Sequence, residues 1–122
     1  MLVSILHRAS GDGLAIVGTL TFLGWLWAIA GGADSYAAFL ACVWHDPAGG
    51  TFRTITNLLG KVVLIGLTWA FFQHLFSGLR HFVLDTGAGY ELATNKMWAT
   101  IVALGALAAT AATWLMIFAG MI

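Results

Sequence analysis

The chain has 122 residues, of which 61% are hydrophobic and only 8% are charged. A soluble domain carries about 25% charged residues, and a chain this short cannot bury so much apolar surface in a core of its own, so lipid must be the solvent for much of it. Five Lys/Arg and five Asp/Glu give a net charge of zero, which excludes a basic nucleic-acid surface, and the single cysteine, Cys42, excludes a disulfide framework.

Three apolar segments are long enough to cross a bilayer. They cover about residues 10–31, 57–82 and 97–121, and each exceeds the ~20 apolar residues that cross a ~30 Å hydrocarbon layer. We expect the first segment to be a membrane span rather than a cleaved secretory signal. Its apolar stretch is longer than the hydrophobic region of such a signal, and further spans follow it.

The two connections differ in character. Residues 37–44 are apolar but too short to span, and Asp46-Pro47 follows them, so we predict a short interfacial helix that ends before the proline. Residues 85–96 are predicted to form a polar loop. The predicted fold is therefore all-α and integral to the membrane. It has three transmembrane helices in a bundle, with a short interfacial helix between the first two, and residues 1–122 form one membrane-anchor domain.

The distribution of charge predicts the orientation. With three spans, the N-terminus and the second connection lie on one side with Arg8, Arg80 and Lys96, and Arg53 and Lys61 lie on the other. The positive-inside rule then favours a cytoplasmic N-terminus by three to two. No cleavable targeting segment is evident, so we expect the bacterial cytoplasmic membrane, with the mitochondrial inner membrane as the alternative.

His74 is the leading candidate for chemistry, because hydrocarbon penalises ionisable groups and those inside spans are usually functional. A buried neutral imidazole needs a partner, which is either a hydrogen bond in the core or a metal such as haem iron. Gly78 lies one turn away on the same face and would leave room for the edge of a macrocycle. His81 lies about 10 Å further along the helix, so the two histidines cannot be opposing ligands of one iron. A six-coordinate haem would take its second ligand from another chain.

A second group lies at the start of the first segment. Ser4, Arg8 and Asp12 share a helix face at i, i+4 and i+8. A hydroxyl and a guanidinium there would donate hydrogen bonds to a quinone carbonyl, and His7, Arg8 and His81 would neutralise haem propionates. The alternative is an anchor at the headgroups, in which Arg8 is paired with Asp12.

Two motifs resemble those of a known family. Residues 4–11 read SILHRASG and are similar to the S-x-x-H-R-x-[S/T]-G motif of the cytochrome b membrane-anchor subunit of succinate dehydrogenase (complex II). Residues 74–87 read HLFSGLRHFVLDTG and resemble that family's second motif, H-x-x-x-G-x-R-H-x-x-x-D-x-G. The number of spans and the positions of the loops agree, so the resemblance covers nearly the whole chain. Asp12 departs from it, since an apolar residue is expected after the motif glycine.

The resemblance implies specific site residues. His74 corresponds to the family's axial ligand of a b-type haem, and the opposing histidine comes from a partner subunit. Ser4 and Arg8 correspond to residues of the ubiquinone pocket. The pair His7 and Arg8 lies beside the haem propionates in the family, and we extend that role to His81 more weakly.

The resemblance also implies partners. They are a second small three-helix anchor subunit, an iron–sulfur subunit and a flavoprotein subunit on which succinate is oxidised. The chain would then be a non-catalytic subunit of an oxidoreductase complex, which passes electrons from succinate to quinone in the respiratory chain and tricarboxylic acid cycle. Two other interpretations stay open at this point: the anchor of a quinol:fumarate reductase and a haem-free membrane scaffold.

Overall fold

The computed structural model describes residues 2–87 and 92–122, all of whose regular structure is helical. The helices are α1 (Leu2–Gly13), α2 (Thr19–Ala30), α3 (Ala33–Val43), α4 (Thr51–Asp85) and α5 (Leu92–Phe118). A π-helical segment, Leu14–Gly18, joins α1 to α2.

Three stretches are long and apolar enough to cross a membrane: Leu2–Ala30, Thr51–Asp85 and Ala93–Phe118. The shorter α3 lies between the first two of them. The predicted fold class, an all-α membrane protein with three spans and a short intervening helix, is thereby confirmed. The first helical stretch begins well before its apolar segment, at Leu2. Of the predicted loop at residues 85–96, positions 88–91 lie outside the described residues.

The end of α2 and both ends of α3 follow from local chemistry. Gly32, with φ of 88°, breaks the helix after α2, because this backbone conformation is rarely open to other residues. Asp34 lies in the first turn of α3, where a carboxylate interacts favourably with the helix dipole. The sequence Asp46-Pro47 follows α3, and proline disfavours a helical conformation in the residue before it.

The chain divides into two compact units, one containing Ala15–Leu67 and the other Met1–Leu14 with Thr68–Ile122. In the first unit, the buried Asn57 of α4 caps the end of α3. Its Nδ2 donates to the carbonyl oxygens of Ala41 and Cys42 at 2.7 and 2.8 Å, and its Oδ1 accepts from the backbone nitrogen of Asp46 at 3.0 Å. A single amide side chain thus satisfies carbonyls that the end of a helix leaves unpaired.

The second unit packs through small and weakly polar side chains. One stripe of α5 is buried at every fourth residue: Val102, Ala106, Thr110 and Trp114. Trp114 Nε1 donates to Thr68 Oγ1 of α4 at 3.2 Å. Close packing of small residues, with hydroxyl and amide groups bonded across helices, is typical of helix contacts in membranes, where apolar burial contributes little.

Large apolar side chains cover the outside of both units. Trp27, Phe52 and Phe82 are 81%, 72% and 76% exposed. Water would penalise such a surface, whereas lipid or an apolar partner chain would not. The exposure therefore agrees with the composition in making a membrane the solvent of this chain.

Candidate functional site

A cluster of three imidazoles lies within the unit formed by residues 1–14 and 68–122. Helix α1 contributes His7, and α4 contributes His74 and His81. The two α4 histidines are seven residues apart, so they lie two turns apart on one face of the helix. His7 approaches that face from α1 and contacts both rings.

All three rings are half-buried, and His74 lies at the end of the cluster opposite His81. Its Nδ1 lies 3.1 Å from the backbone carbonyl oxygen of His7. A carbonyl oxygen only accepts hydrogen bonds, so Nδ1 must carry the ring proton and donate it. The neutral imidazole therefore keeps its lone pair on Nε2, and no hydrogen bond to Nε2 is found among residues 2–87 and 92–122. His74 thus has the tautomer and the available nitrogen of an axial metal ligand.

Gly11 makes this arrangement sterically possible. A Cβ atom added at Gly11 would lie 2.8 Å from Cε1 and 3.1 Å from Nδ1 of His74. Real Cβ atoms do not approach so closely, and the His74 ring is held by its hydrogen bond and by His7. The glycine of the first motif therefore provides the space for the leading histidine of the second.

His7 lies parallel to His74. The ring centroids are 4.1 Å apart and the planes differ by 8°. Nδ1 of His7 is 2.8 Å from Oγ of Ser77, and that Oγ lies 2.5 Å from the carbonyl oxygen of Gln73. A serine has only one hydroxyl proton, and the carbonyl can only accept, so Ser77 donates to Gln73 and accepts from the Nδ1–H of His7.

His81 completes the cluster at its outer end. Its ring meets the His7 ring edge-on, with centroids 5.2 Å apart and planes at 64°. His7 is therefore the middle ring of the three. Gly78 is also in contact with it, since a Cβ at Gly78 would lie 3.7 Å from Cε1 of His7. The His7 ring therefore borders the space beside Gly78 that was predicted to admit the edge of a macrocycle.

The donor set limits what the cluster can bind. Among the residues described, no three His, Cys, Asp or Glu side chains converge to hold a metal ion. A bare ion would need such a set, whereas a haem supplies four nitrogens of its own and needs only axial ligands from protein. One half-exposed imidazole with an available Nε2 fits the haem and does not fit an isolated ion.

The structure separates Arg8 from the histidines. Arg8 follows His7 in α1, so its side chain points about 100° away around the helix, and it is exposed, as is Asp12. Within the described part of the chain the two form no ion pair. The ion pair found there joins Arg53 to Asp46 at 3.3 Å, in the other unit. Ser4 is half-buried on the same flank as Arg8.

A polar contact at the start of α5 was not anticipated from the sequence. Arg80 of α4 donates through Nη2 to Oδ1 of Asn95. The two residues line a groove of about 430 Å³ with Lys96 and the apolar start of α1. Neither Ser4 nor Arg8 lines it. Ser77 was also missed, although a hydroxyl one turn after His74 in an apolar helix was the available signal.

Comparison with known proteins agrees with the two motifs. The family model described as succinate dehydrogenase/fumarate reductase transmembrane subunit matches residues 1–113. The succinate dehydrogenase cytochrome b556 subunit of Paracoccus denitrificans is 32% identical over 91 residues, which are 75% of this chain and 60% of that protein. The subunit of the same name from Rickettsia felis is 26% identical over 102 residues, 82% of this chain and 68% of the relative.

This chain therefore spans about three fifths to two thirds of the length of these relatives. No solved structure gives a significant match. The resemblance predicted from the motifs is confirmed by the match over nearly all of the sequence, and the chain belongs to the succinate dehydrogenase/fumarate reductase transmembrane subunit family.

Proposed function

We propose that this chain is the cytochrome b membrane anchor of a succinate:quinone oxidoreductase. In this proposal it ligates one b-type haem together with a partner subunit and forms part of the ubiquinone-reduction site. Family membership and the names of the two cytochrome b556 relatives support the class of protein. The observation that carries the proposal is the His74 imidazole, whose Nδ1 is bonded to a backbone carbonyl and whose Nε2 is available.

His74 is the axial ligand in this proposal, and the other histidines support it. His7 stacks on the His74 ring and is itself held by Ser77, while His81 lies two turns along the same helix. His45 is exposed and belongs to the other unit. One ligand from this chain requires a second from a partner, which we assign to the second small anchor subunit. When bound, the haem supplies reversible one-electron transfer between ferric and ferrous iron.

The remaining partners follow from the same proposal. The iron–sulfur and flavoprotein subunits carry electrons from succinate, whose oxidation takes place on the flavoprotein. We place the complex in a bacterial cytoplasmic membrane with the N-terminus of this chain on the cytoplasmic side. Both relatives are bacterial, and Arg8, Arg80 and Lys96 outnumber the two cations assigned to the other side.

Ser4 and Arg8 are the proposed quinone residues. Arg8 is exposed and has no ion-pair partner among the residues described, so its guanidinium is available to donate to a quinone carbonyl. His7, Arg8 and, more weakly, His81 are the proposed partners of the haem propionates. His7 lies against the ligand ring itself, which supports a role close to the haem.

Replacing Arg8 with alanine should reduce succinate–quinone reductase activity by about tenfold or more, because a hydrogen bond from a charged donor contributes about 1.5–3 kcal/mol. Succinate–dye activity, which bypasses the quinone, should be retained. The matched control is Arg53→Ala, an arginine paired with Asp46 in the other unit, which should leave both activities near wild type. Equal loss of both activities in Arg8→Ala would count against a quinone role.

The purified complex tests the function as a whole. We expect its reduced-minus-oxidised spectrum to show one b-type haem per copy of this chain, with a second anchor, an iron–sulfur subunit and a flavoprotein in the preparation. Two haems per copy would favour the fumarate reductase anchor. A preparation with no Soret band would favour a haem-free scaffold and would overturn the haem proposal.

A further inference from the structure

We propose that Ser77 is a positioning residue for the axial ligand, and that it acts through His7, which it holds against the His74 ring. The inference rests on the proposed haem ligation by His74. Ser77 occupies a position that the second motif leaves unspecified, so no part of the motif assigns it a role. Its side chain is fully buried, at 0% exposure.

Two hydrogen bonds fix the orientation of the His7 ring. The Ser77 hydroxyl donates to Gln73 O at 2.5 Å, which aims its lone pairs away from its own helix, and it accepts from His7 Nδ1–H at 2.8 Å. The hydrogen bond to His7 fixes the rotation of the imidazole about the Cβ–Cγ bond of His7. The rigid α4 backbone is therefore connected through one hydroxyl to a side chain of α1.

His7 in turn restricts His74 in two directions. Its backbone carbonyl accepts the Nδ1–H of His74, which determines the edge of the ring that faces α1. Its own ring covers one face of His74 at 4.1 Å and nearly parallel. The carbonyl bond alone would allow the His74 ring to tilt about the hydrogen-bond axis. The stacked ring opposes that tilt, so Nε2 points in one direction.

Loss of the Ser77 hydroxyl should release this arrangement. The Nδ1–H of the half-buried His7 would then lose its hydrogen-bond acceptor, which is unfavourable in a partly buried contact. The His7 ring would rotate to find another acceptor, and His74 would lose the surface that limits its tilt. Residues that orient a metal ligand contribute about 10–100-fold to metal affinity, so a weakened axial bond is the expected consequence.

Carbon monoxide binding by the reduced complex measures this directly, because carbon monoxide binds ferrous haem only where an axial ligand has left. In the wild-type complex, with both ligands in place, the reactive fraction of haem should be small. Ser77→Ala should retain haem but raise the reactive fraction by about tenfold, the lower end of the effect of such partners. A reactive fraction equal to that of the wild type would overturn the proposal.

Thr110→Ala is the matched control. Thr110 is also buried in this unit, and its hydroxyl also donates to the carbonyl four residues earlier, at 2.8 Å. Among residues 2–87 and 92–122 it forms no hydrogen bond with a histidine. This variant should show the wild-type reactive fraction. An increase as large as that of Ser77→Ala would mean that the loss of any buried hydrogen bond in this unit has the same effect, and it would overturn the proposal.

A double-mutant comparison tests whether Ser77 acts through His7. His7→Phe keeps a flat ring but has no Nδ1–H for Ser77 to accept. Adding Ser77→Ala to His7→Phe should then cause no further increase in the reactive fraction, whereas fully additive effects would contradict the proposed route.

If Ser77→Ala does not assemble, Ser77→Cys keeps the side-chain volume with a weaker acceptor. It should give a raised fraction, and a wild-type fraction in that variant would be equally decisive against the proposal.

The outcomes separate this inference from the proposed function. A wild-type complex without b-type haem would remove the haem assignment and the inference together. If the wild-type complex contains the haem and the Ser77 variants bind carbon monoxide only to the wild-type extent, only the role of Ser77 would be removed.

Discussion

Replacing His74 with alanine is expected to eliminate the b-type haem absorbance of the complex, while the chain still inserts into the membrane. Alanine has no nitrogen to coordinate iron, so the ligand that this chain supplies in the proposal would be lost. Insertion should persist because the three apolar stretches are unchanged. The measurements are the reduced-minus-oxidised spectrum of the complex and the amount of this chain in the membrane fraction.

The control for this substitution is His45→Ala. His45 is exposed and lies in the other compact unit, so its removal should leave the haem spectrum unaltered. An unchanged spectrum in His74→Ala would show that His74 is not the ligand. Loss of the spectrum in both variants would indicate that assembly, rather than coordination, had failed.

Gly11→Ala is expected to be nearly as damaging, although glycine has no chemistry of its own. The new methyl group would lie 2.8 Å from Cε1 of His74, and the ring has little freedom to move because His7 covers one face. Overpacking of this kind costs about 1–3 kcal/mol. We expect His74 to be displaced, and the haem to be lost or to become reactive towards carbon monoxide, in a chain that still reaches the membrane.

Gly13→Ala provides a close comparison two residues further along α1. A Cβ at Gly13 would meet nothing within 4 Å, and alanine is more favourable than glycine within a helix by roughly 0.5–1 kcal/mol. This variant should keep a normal haem spectrum. A normal spectrum in Gly11→Ala as well would mean that the close approach of α1 to His74 is not a feature of the assembled complex.

The contact between Gly11 and His74 brings the two motifs together in space. The first motif places a histidine and a glycine four residues apart, on one face of α1. The second places its leading histidine opposite them on α4. The His7 ring covers one face of the His74 ring, and the missing side chain at Gly11 leaves space for the edge of the His74 ring. The two motifs therefore act together, since the His74 ring on one helix is contacted by the backbone and the side chain of His7 on the other.

Much of the fold was predictable from composition and spacing. A chain with 61% hydrophobic and 8% charged residues can satisfy its backbone in lipid only as helices, and three apolar runs predicted three spans. The end of the short helix before Pro47 was also predictable, since proline disfavours a helical conformation in the residue before it. The family was also predictable, because its two motifs combine rare polar residues at set spacings within otherwise apolar helices.

The arrangement of the candidate site was decided by the tertiary structure. Sequence reasoning grouped His7 with its neighbour Arg8 and gave Ser77 no role. Residues that are adjacent along a helix point in different directions, so adjacency does not predict which side chains meet. A rotation of about 100° per residue turns His7 towards α4 and leaves Arg8 exposed. Sequence alone determined that His74 lies in an apolar span and needs a partner. Only packing decided that this partner is the His7 carbonyl, that the His7 ring covers its face and that a buried serine holds that ring, since hydrogen bonds and stacking depend on distances between helices that are 67 or more residues apart in sequence.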